Sequence, residues 1–322
     1  MTAAVVIRCY NEEAHIGRLL TGLVRQRRRP DEIIVVDSGS TDATISIASA
    51  FPVEVVHIAQ EDFSFGRACN LGVEASSSDI AVFISAHCYP VYDSWLDLMC
   101  APFEADDVAL TYGRQCGPPD VRFSEERLFA RWFPTESVRR QRHPFCNNAN
   151  AAIRRTVWDE IRYDEHLTGL EDLDWAKRAI DSGHVLSYVA EAPVVHVHEE
   201  RFAQVVNRYR REAIAHKQIY DEQRMSSLDA ARLAVANIVS DYVAANKAGG
   251  LRRHALDIPT FRVAQFYGTY QGFAQQGPVT ALLKRRFFYP DASAPSATGQ
   301  TEALGEARRV DYDTPLDSAE LG

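Results

Sequence analysis

Three acids crowd into four residues, Glu171, Asp172 and Asp174, in the stretch GLEDLDW at the mouth of a helical pattern. The dipole of a helix N-terminus stabilises carboxylates and would by itself account for such a cluster. Adjacent Glu171 and Asp172 also form a working pair, one acid to take a proton from a hydroxyl and one to support it. Asp37 ends the apolar run EIIVV, where it can accept hydrogen bonds from a base imide and a ribose hydroxyl; as a helix cap it would be redundant, because Asp42 already offers that cap. Val195-His196-Val197-His198 places two imidazoles on one strand face. That spacing suits a metal ion or a phosphate, and equally a half-exposed strand with neither. Arg67 and Asn70 stand about one helical turn apart, able to present a cation and an amide to a phosphate or a base.

These groups need a scaffold, and the first half of the chain supplies its signature. AAVVIRC (3–9), EIIVVD (32–37), VEVVHIA (53–59), DIAVFIS (79–85) and VALTYGRQ (108–115) read as strands with helical patterns between them, which predicts βαβ units and a mainly parallel sheet. Ligands of such sheets sit outside the carboxyl ends of the strands. Three polar tips fall there: Cys9-Tyr10-Asn11-Glu12, the run from Asp37 to Asp42, and Ser85-Ala86-His87. No dinucleotide or P-loop glycine fingerprint follows any strand, which disfavours a plain dehydrogenase or a kinase. The order then becomes mixed, with helices near 124–133 and 172–182 and strands near 148–154 and 185–197. Helical stretches follow near 201–224, 227–247 and 257–276. The expected organisation is a catalytic domain over 1–200, a helical region over 201–290, and a disordered tail over 291–322 that is rich in Ala, Ser, Pro, Gly and Glu.

Composition narrows the class. Of 322 residues, 46% are hydrophobic and 25% charged, as in ordinary globular proteins, and the formal charge of −9 argues against nucleic acid as a partner. Six scattered cysteines without a CxxC pair indicate neither a structural zinc site nor a disulfide framework, and fit a reduced compartment. Without a signal-peptide pattern or an apolar run of about 20 residues, the expected location is the cytoplasm. Peripheral contact with the inner membrane face is left open by LLKRRFFYP (282–290) and the arginine-rich 201–224 stretch, which suit a membrane surface, a packed helix face or a homodimer contact.

CYNEE, VVDSGSTDAT, RACNLG, VFISAHCYP and GLEDLDWAKR occur in an order and spacing that resemble the family 2 inverting glycosyltransferases with the glycosyltransferase-A fold, over about residues 3–200. The tract from 60 to 117 and the helical C-terminus are most similar to bacterial rhamnosyltransferase-like enzymes of surface polysaccharide assembly. The resemblance implies a nucleotide diphosphate sugar donor and a glycan, lipid-linked or small-molecule hydroxyl acceptor. It implies Asp172 as the base, supported by Glu171, and a nucleotide shell of Asn11, Glu12 and Asp37, to which Arg67, Asn70 and Ser85 are added.

The family's Asp-x-Asp motif, whose second carboxylate binds the cation on the donor diphosphate, aligns with Ser85-Ala86-His87. Losing two carboxylates removes attraction worth up to about 4 kcal/mol per unit charge at about 4 Å and an effective dielectric near 20. Magnesium prefers hard oxygen ligands, whereas imidazole suits manganese and softer ions. Three alternatives follow. His87, helped by His198, holds a divalent metal; or protonated His87, with Arg67 or Arg154, stabilises the departing diphosphate without one; or the chain is a non-catalytic nucleotide-sugar-binding or scaffold protein.

Overall fold

The apolar runs become a nine-stranded sheet in the computed structural model, which describes residues 1–198, 200–277, 279, 283 and 308–321. Its strands are β1 (Ala3–Cys9), β2 (Glu32–Asp37), β3 (Glu54–His57), β4 (Ile80–Ser85), β5 (Cys88–Pro90), β6 (Val108–Cys116), β7 (Val138–Gln141), β8 (Asn150–Arg154) and β9 (Val185–His196). They lie in the order β3-β2-β1-β4-β8-β6-β9-β5, with β7 pairing β9 off that path. The β3-β2-β1-β4 portion is parallel, as its alternation with helices predicts. Beyond β4 the sheet is mixed: β8 runs antiparallel to β4 and β6, and β5 antiparallel to β9.

Both faces are covered, so each central strand is apolar throughout rather than alternating. Val5 and Ile7 of β1 face a cluster with Leu19, Leu20 and Leu23 of α1 (Ile16–Val24) and Trp95 of α4 (Trp95–Cys100). On the other face, Val6 packs with Val36, Ala68 and Val73, the last two from α3 (Phe65–Glu74), and with Trp175 of α7 (Glu171–Asp181). Gly72 lets α3 approach closely, since a Cβ there would stand 2.2 Å from Val6 Cγ1. Short helices α2 (Thr44–Ala48) and α6 (Arg155–Glu160) follow β2 and β8.

The C-terminal region comprises α8 (Phe202–Ile219), α9 (Ser227–Lys247), α10 (Leu251–His254) and α11 (Asp257–Ala274). It is joined to the sheet through α5 (Phe123–Trp132) by a buried polar hub. Asp241 of α9 accepts hydrogen bonds from Ser124 Oγ (2.6 Å) and from Arg262 Nε of α11 (2.7 Å), and Arg127 Nε lies 3.2 Å away. No helix among the described residues is long and apolar enough to cross a membrane.

The expectation of a disordered 291–322 tail is corrected over its last part. Arg308–Leu321 crosses back over the sheet edge, where Tyr92 bridges Arg309 antiparallel and Arg25 pairs with Glu320 at 3.0 Å. Composition averaged over thirty residues hides the VDYDTP stretch, whose Tyr312 packs against Tyr89. LLKRRFFYP lies outside the described residues except Leu283, so the membrane reading of that stretch has no structural counterpart here.

Asp241 and Arg262 are both almost wholly buried, and removing one leaves the other an uncompensated buried charge. Asp241→Ala is expected to cost about 3–5 kcal/mol of stability, read as a lowered denaturant midpoint; an unchanged midpoint would refute the hub.

Candidate active site at the carboxyl ends of the strands

The tips of β1, β2 and β4 meet at one end of the parallel strands. Asn11 adopts a left-handed backbone, φ 52°, which asparagine tolerates better than most residues. Its Oδ1 accepts the Thr41 N–H at 2.8 Å, and its own N–H donates to Ser40 Oγ at 2.9 Å, so it knits the first tip to the second. Asp37 closes its own loop: its carboxylate accepts the Gly39 and Ser40 N–H groups at 3.1 and 3.2 Å, with His57 Nδ1 at 3.5 Å. Ser85 ends β4 in register with Arg8 of β1 and donates its N–H to Ala149 O.

The acids lie beside this rim. Leu170, in the left-handed region at φ 54°, turns the chain into α7 so that Glu171 and Asp172 occupy its first turn. Glu171 accepts from Arg8 Nη1 at 2.8 Å and from Asn148 Nδ2 at 3.3 Å. Asp172 accepts the N–H groups of Asn148 (3.0 Å) and Leu173 (2.8 Å). Both side chains are buried. Burial first, and the charge of Glu171 second, push the Asp172 carboxyl up to about 7, against the pull of those two N–H groups and of Arg8. Asp172 is thus poised to exchange a proton near neutrality.

Three histidines converge on the other side. The antiparallel pairing of β5 with β9 sets Cys88 opposite His196, which stacks the His87 ring on His196 at 5.1 Å. His196 and His198 approach Nε2 to Nε2 at 3.0 Å, and one ring nitrogen from each of the three lies within 4.8 Å of the others. Each Nδ1 faces an oxygen: His87 that of Glu12 (2.8 Å), His196 that of Gln115 (2.8 Å) and His198 that of Glu125 (3.3 Å). Anchoring one nitrogen on an oxygen while freeing the other is how proteins orient imidazole toward a metal. Gln115 Nε2 is also buried without a partner beside the cluster. These residues fit a divalent cation with nitrogen preference. Burial, then repulsion from His198 and His87, hold His196 well below the usual imidazole range, and burial lowers His198. At His87 burial is outweighed by Glu12, which raises it.

Several expectations change. Asn70 is not available to a nucleotide: its Nδ2 donates to Tyr163 O and Glu165, and its Oδ1 accepts from Trp158 Nε1 and the Tyr163 N–H. Arg154 lies at the opposite end of the sheet, beside Ile80, and donates to the carbonyls of Phe103, Ala105 and Val108. Glu12, expected near the nucleotide, pairs with His87 at 2.8 Å. Arg67 sits half-exposed beside Glu165 at 3.4 Å, its Nε without a partner. Sequence reasoning passed over Arg8, although a cation inside an apolar strand was a signal. It also passed over Asn148, which binds both acids, and Arg211 of α8. Arg211 reaches the Phe65 ring at 4.7 Å, which Arg8 also approaches at 5.2 Å, and its Nε is buried without a partner.

Comparison with known proteins bears on the family and the fold. Residues 4–162 match the family model described as Glycosyl transferase family 2. The chain is 30% identical over 198 residues to the O-antigen chain rhamnosyltransferase WbaN of Salmonella anatum, spanning 58% of this chain and 62% of that protein, just under two thirds. It is 27% identical over 223 residues to the O-antigen chain rhamnosyltransferase RfbN of Salmonella typhimurium, spanning 65% and 70%. Among solved structures, the mannosyltransferase PcManGT from Pyrobaculum calidifontis, in complex with GDP-Man and Mn2+, superposes with a TM-score of 0.56 at 17% identity, over 90% of this chain and 88% of that one. TarS 1–349 of S. aureus, in complex with UDP-GlcNAc, gives 0.53 at 16% identity over 84% and 90%. At such identities the likeness establishes the fold, glycosyltransferase-A, and nothing finer.

The Asp172 acidity sets a stability slope. Its folded-state value lies above the ordinary carboxylate value near 4, so the folded state binds more protons between about pH 4 and 7, and stability falls as pH rises through that window. Thermal melts at pH 5 and 8 are expected to show the wild type losing stability relative to Asp172→Asn; parallel behaviour would refute the burial-driven shift.

Proposed function

We propose, from the match of residues 4–162 to the family model of glycosyl transferase family 2, that the chain is an inverting glycosyltransferase. It moves a hexose or deoxyhexose, of the rhamnose class by its relatives, from a nucleoside diphosphate sugar to a hydroxyl of a growing surface glycan or its lipid-linked precursor. The observation that carries this is Asp172, a buried acid titrating near neutrality beside an Arg8-bound Glu171, at the strand ends where a donor would lie.

Asp172 takes the acceptor hydroxyl proton as that oxygen forms its bond to the anomeric carbon. The bond from that carbon to the diphosphate oxygen breaks on the opposite face, which inverts the centre, and both electrons leave with the diphosphate. Glu171, held by Arg8 and Asn148, supports Asp172 from the neighbouring position. Asn11 and the Asp37 loop shape the nucleotide pocket, with Ser85 toward the ribose. Arg67 and Arg211 supply positive charge toward the departing anion. His87, His196 and His198 would hold a divalent cation, manganese in preference to magnesium by their nitrogen donors. Such a cation, when bound, neutralises charge developing on the leaving diphosphate.

A second reading of the histidines rests on the Glu12–His87 pair, which favours the protonated imidazole and would let His87 meet the diphosphate as a cation without metal. The same proposal takes residues 1–200 as the catalytic domain and 201–290 as its helical appendage, working in the cytoplasm with peripheral access to a membrane-bound acceptor. Leu228, Val235, Val239 and Val243 form an exposed apolar stripe on α9 that supports such a surface. A non-catalytic nucleotide-sugar binder, the alternative class, has no need of a base poised in this way.

Turnover over a panel of nucleotide sugars tests these points together. Asp172→Asn is expected to lose about 100-fold or more, and an unaffected rate would remove the base assignment. Activity abolished by EDTA and restored by manganese supports the histidine metal site. Activity indifferent to chelator but lost in His87→Ala selects the metal-free reading.

A further inference from the structure

The C-terminal segment Arg308–Leu321 packs on the sheet edge and on α1, and its contacts form a path to the histidines. Arg308–Val310 pairs antiparallel with the chain leaving β5: the Val310 N–H donates to Val91 O and the Asp93 N–H to Arg308 O. Because β5 is the edge strand, this pairing satisfies backbone groups that would otherwise face solvent. Arg25 of the loop after α1 clamps the segment, donating to the carbonyls of Asp311 and Thr314 and pairing with Glu320. Tyr312 then turns inward. Its hydroxyl donates to Pro90 O at 2.7 Å, its ring meets Tyr89 at 6.0 Å, and Arg18 lies 4.9 Å from both rings.

Tyr89 carries the path onward. It is two residues from His87 on β5, and its hydroxyl lies 2.5 Å from His15 Nδ1. The His15 ring in turn stands edge-on to His87, centroids 6.1 Å apart at 69°. His87 is therefore walled by both His196 and His15, and the His15 wall is braced by Tyr89 and, through it, Tyr312. A glycine makes room for the brace: a Cβ at Gly22 of α1 would stand 2.4 Å from Tyr312 Oη and under 3.0 Å from two of its ring carbons.

We propose that Arg308–Leu321 is a strap whose docking positions His87 for ligand binding, with Tyr312, Tyr89 and His15 as positioning residues that touch neither sugar nor phosphate. The proposal rests on the reading of His87, His196 and His198 as a cation site. A chain cut before residue 308, or a strap displaced from α1, loses the His15 wall and with it the fixed direction of the His87 ring.

Gly22→Ala is the discriminating variant, because alanine favours the helix while its methyl group occupies the place of the Tyr312 ring. The probe is Co2+ alone, followed by its visible spectrum and by calorimetry, on the full chain. The expected result is that wild type binds Co2+ with a tetrahedral- or five-coordinate-type spectrum, and that Gly22→Ala and a chain ending at residue 307 bind it at least several-fold more weakly. Tail cleavage in limited proteolysis should quicken for Gly22→Ala, and a synthetic 308–321 peptide should restore affinity to the truncated chain but not to Gly22→Ala. Equal Co2+ affinity in all three chains, or a strap still protected in Gly22→Ala, overturns the strap. Failure of the wild type to bind Co2+ overturns instead the cation-site reading beneath it, and a variant that only melts earlier, with unchanged affinity, reduces the segment to a structural role.

Discussion

A largely buried cation beside two adjacent carboxylates organises this molecule. Arg8 stands in the middle of the sheet, on a strand whose other side chains are apolar, and meets Glu171 across 163 residues of sequence. Two buried acids side by side cannot both ionise cheaply, since each charge raises the energy of the other in a medium that screens poorly. Arg8 breaks the symmetry by binding one of them, so the proton equilibrium falls on Asp172. The same contact fixes α7 to β1, and hence the direction in which both acids point. The positive φ of Leu170 belongs to this constraint: the chain turns sharply into α7 because Glu171 must reach the sheet at once.

The histidine side of the site obeys a complementary rule. Imidazoles buried near one another disfavour added protons, and each here is kept in orientation by an oxygen acceptor drawn from a different element: the β1 tip for His87, β6 for His196 and α5 for His198. Arg208 of α8 closes the set by pairing with Glu125 and Glu200. The cluster is therefore nitrogen-lined at its centre and ringed by the oxygens of Glu12, Gln115 and Glu125. Two of those three oxygens carry negative charge, so the carboxylates orient the imidazoles rather than lining the centre themselves.

Much of this was legible in the chain, and the boundary of what was legible has physical causes. Strands β1 to β4 are continuous apolar runs ending in polar tips, a pattern that sequence displays directly, and α9 carries its own capping serine and spans the residues its periodicity indicates. Strand β7 does not, because only Gln141 of VRRQ is buried. Local spacing placed His196 and His198 together, but His87 joins them through an antiparallel pairing more than a hundred residues distant. Asn70 misled for the opposite reason: its helical spacing from Arg67 is real, while its burial against Trp158 and Tyr163 is a tertiary fact. The role of Arg211 depends on where α8 folds back, which no local pattern encodes.

The polar hub under α5 bears on how the chain matures during synthesis. Ser124 and Arg127 lie on the helix that supplies Glu125 to the histidines, yet their partners Asp241 and Arg262 leave the ribosome well over a hundred residues later. Until then α5 has no counter-charge beneath it and the wall behind His198 lacks its support. Folding of long-range contacts waits on the slowest closure. The parallel strands and the Arg8–Glu171 pairing, by contrast, draw only on residues up to α7. The imidazole side of the cleft thus rests, through α5, on side chains of α9 and α11 that come late in the chain.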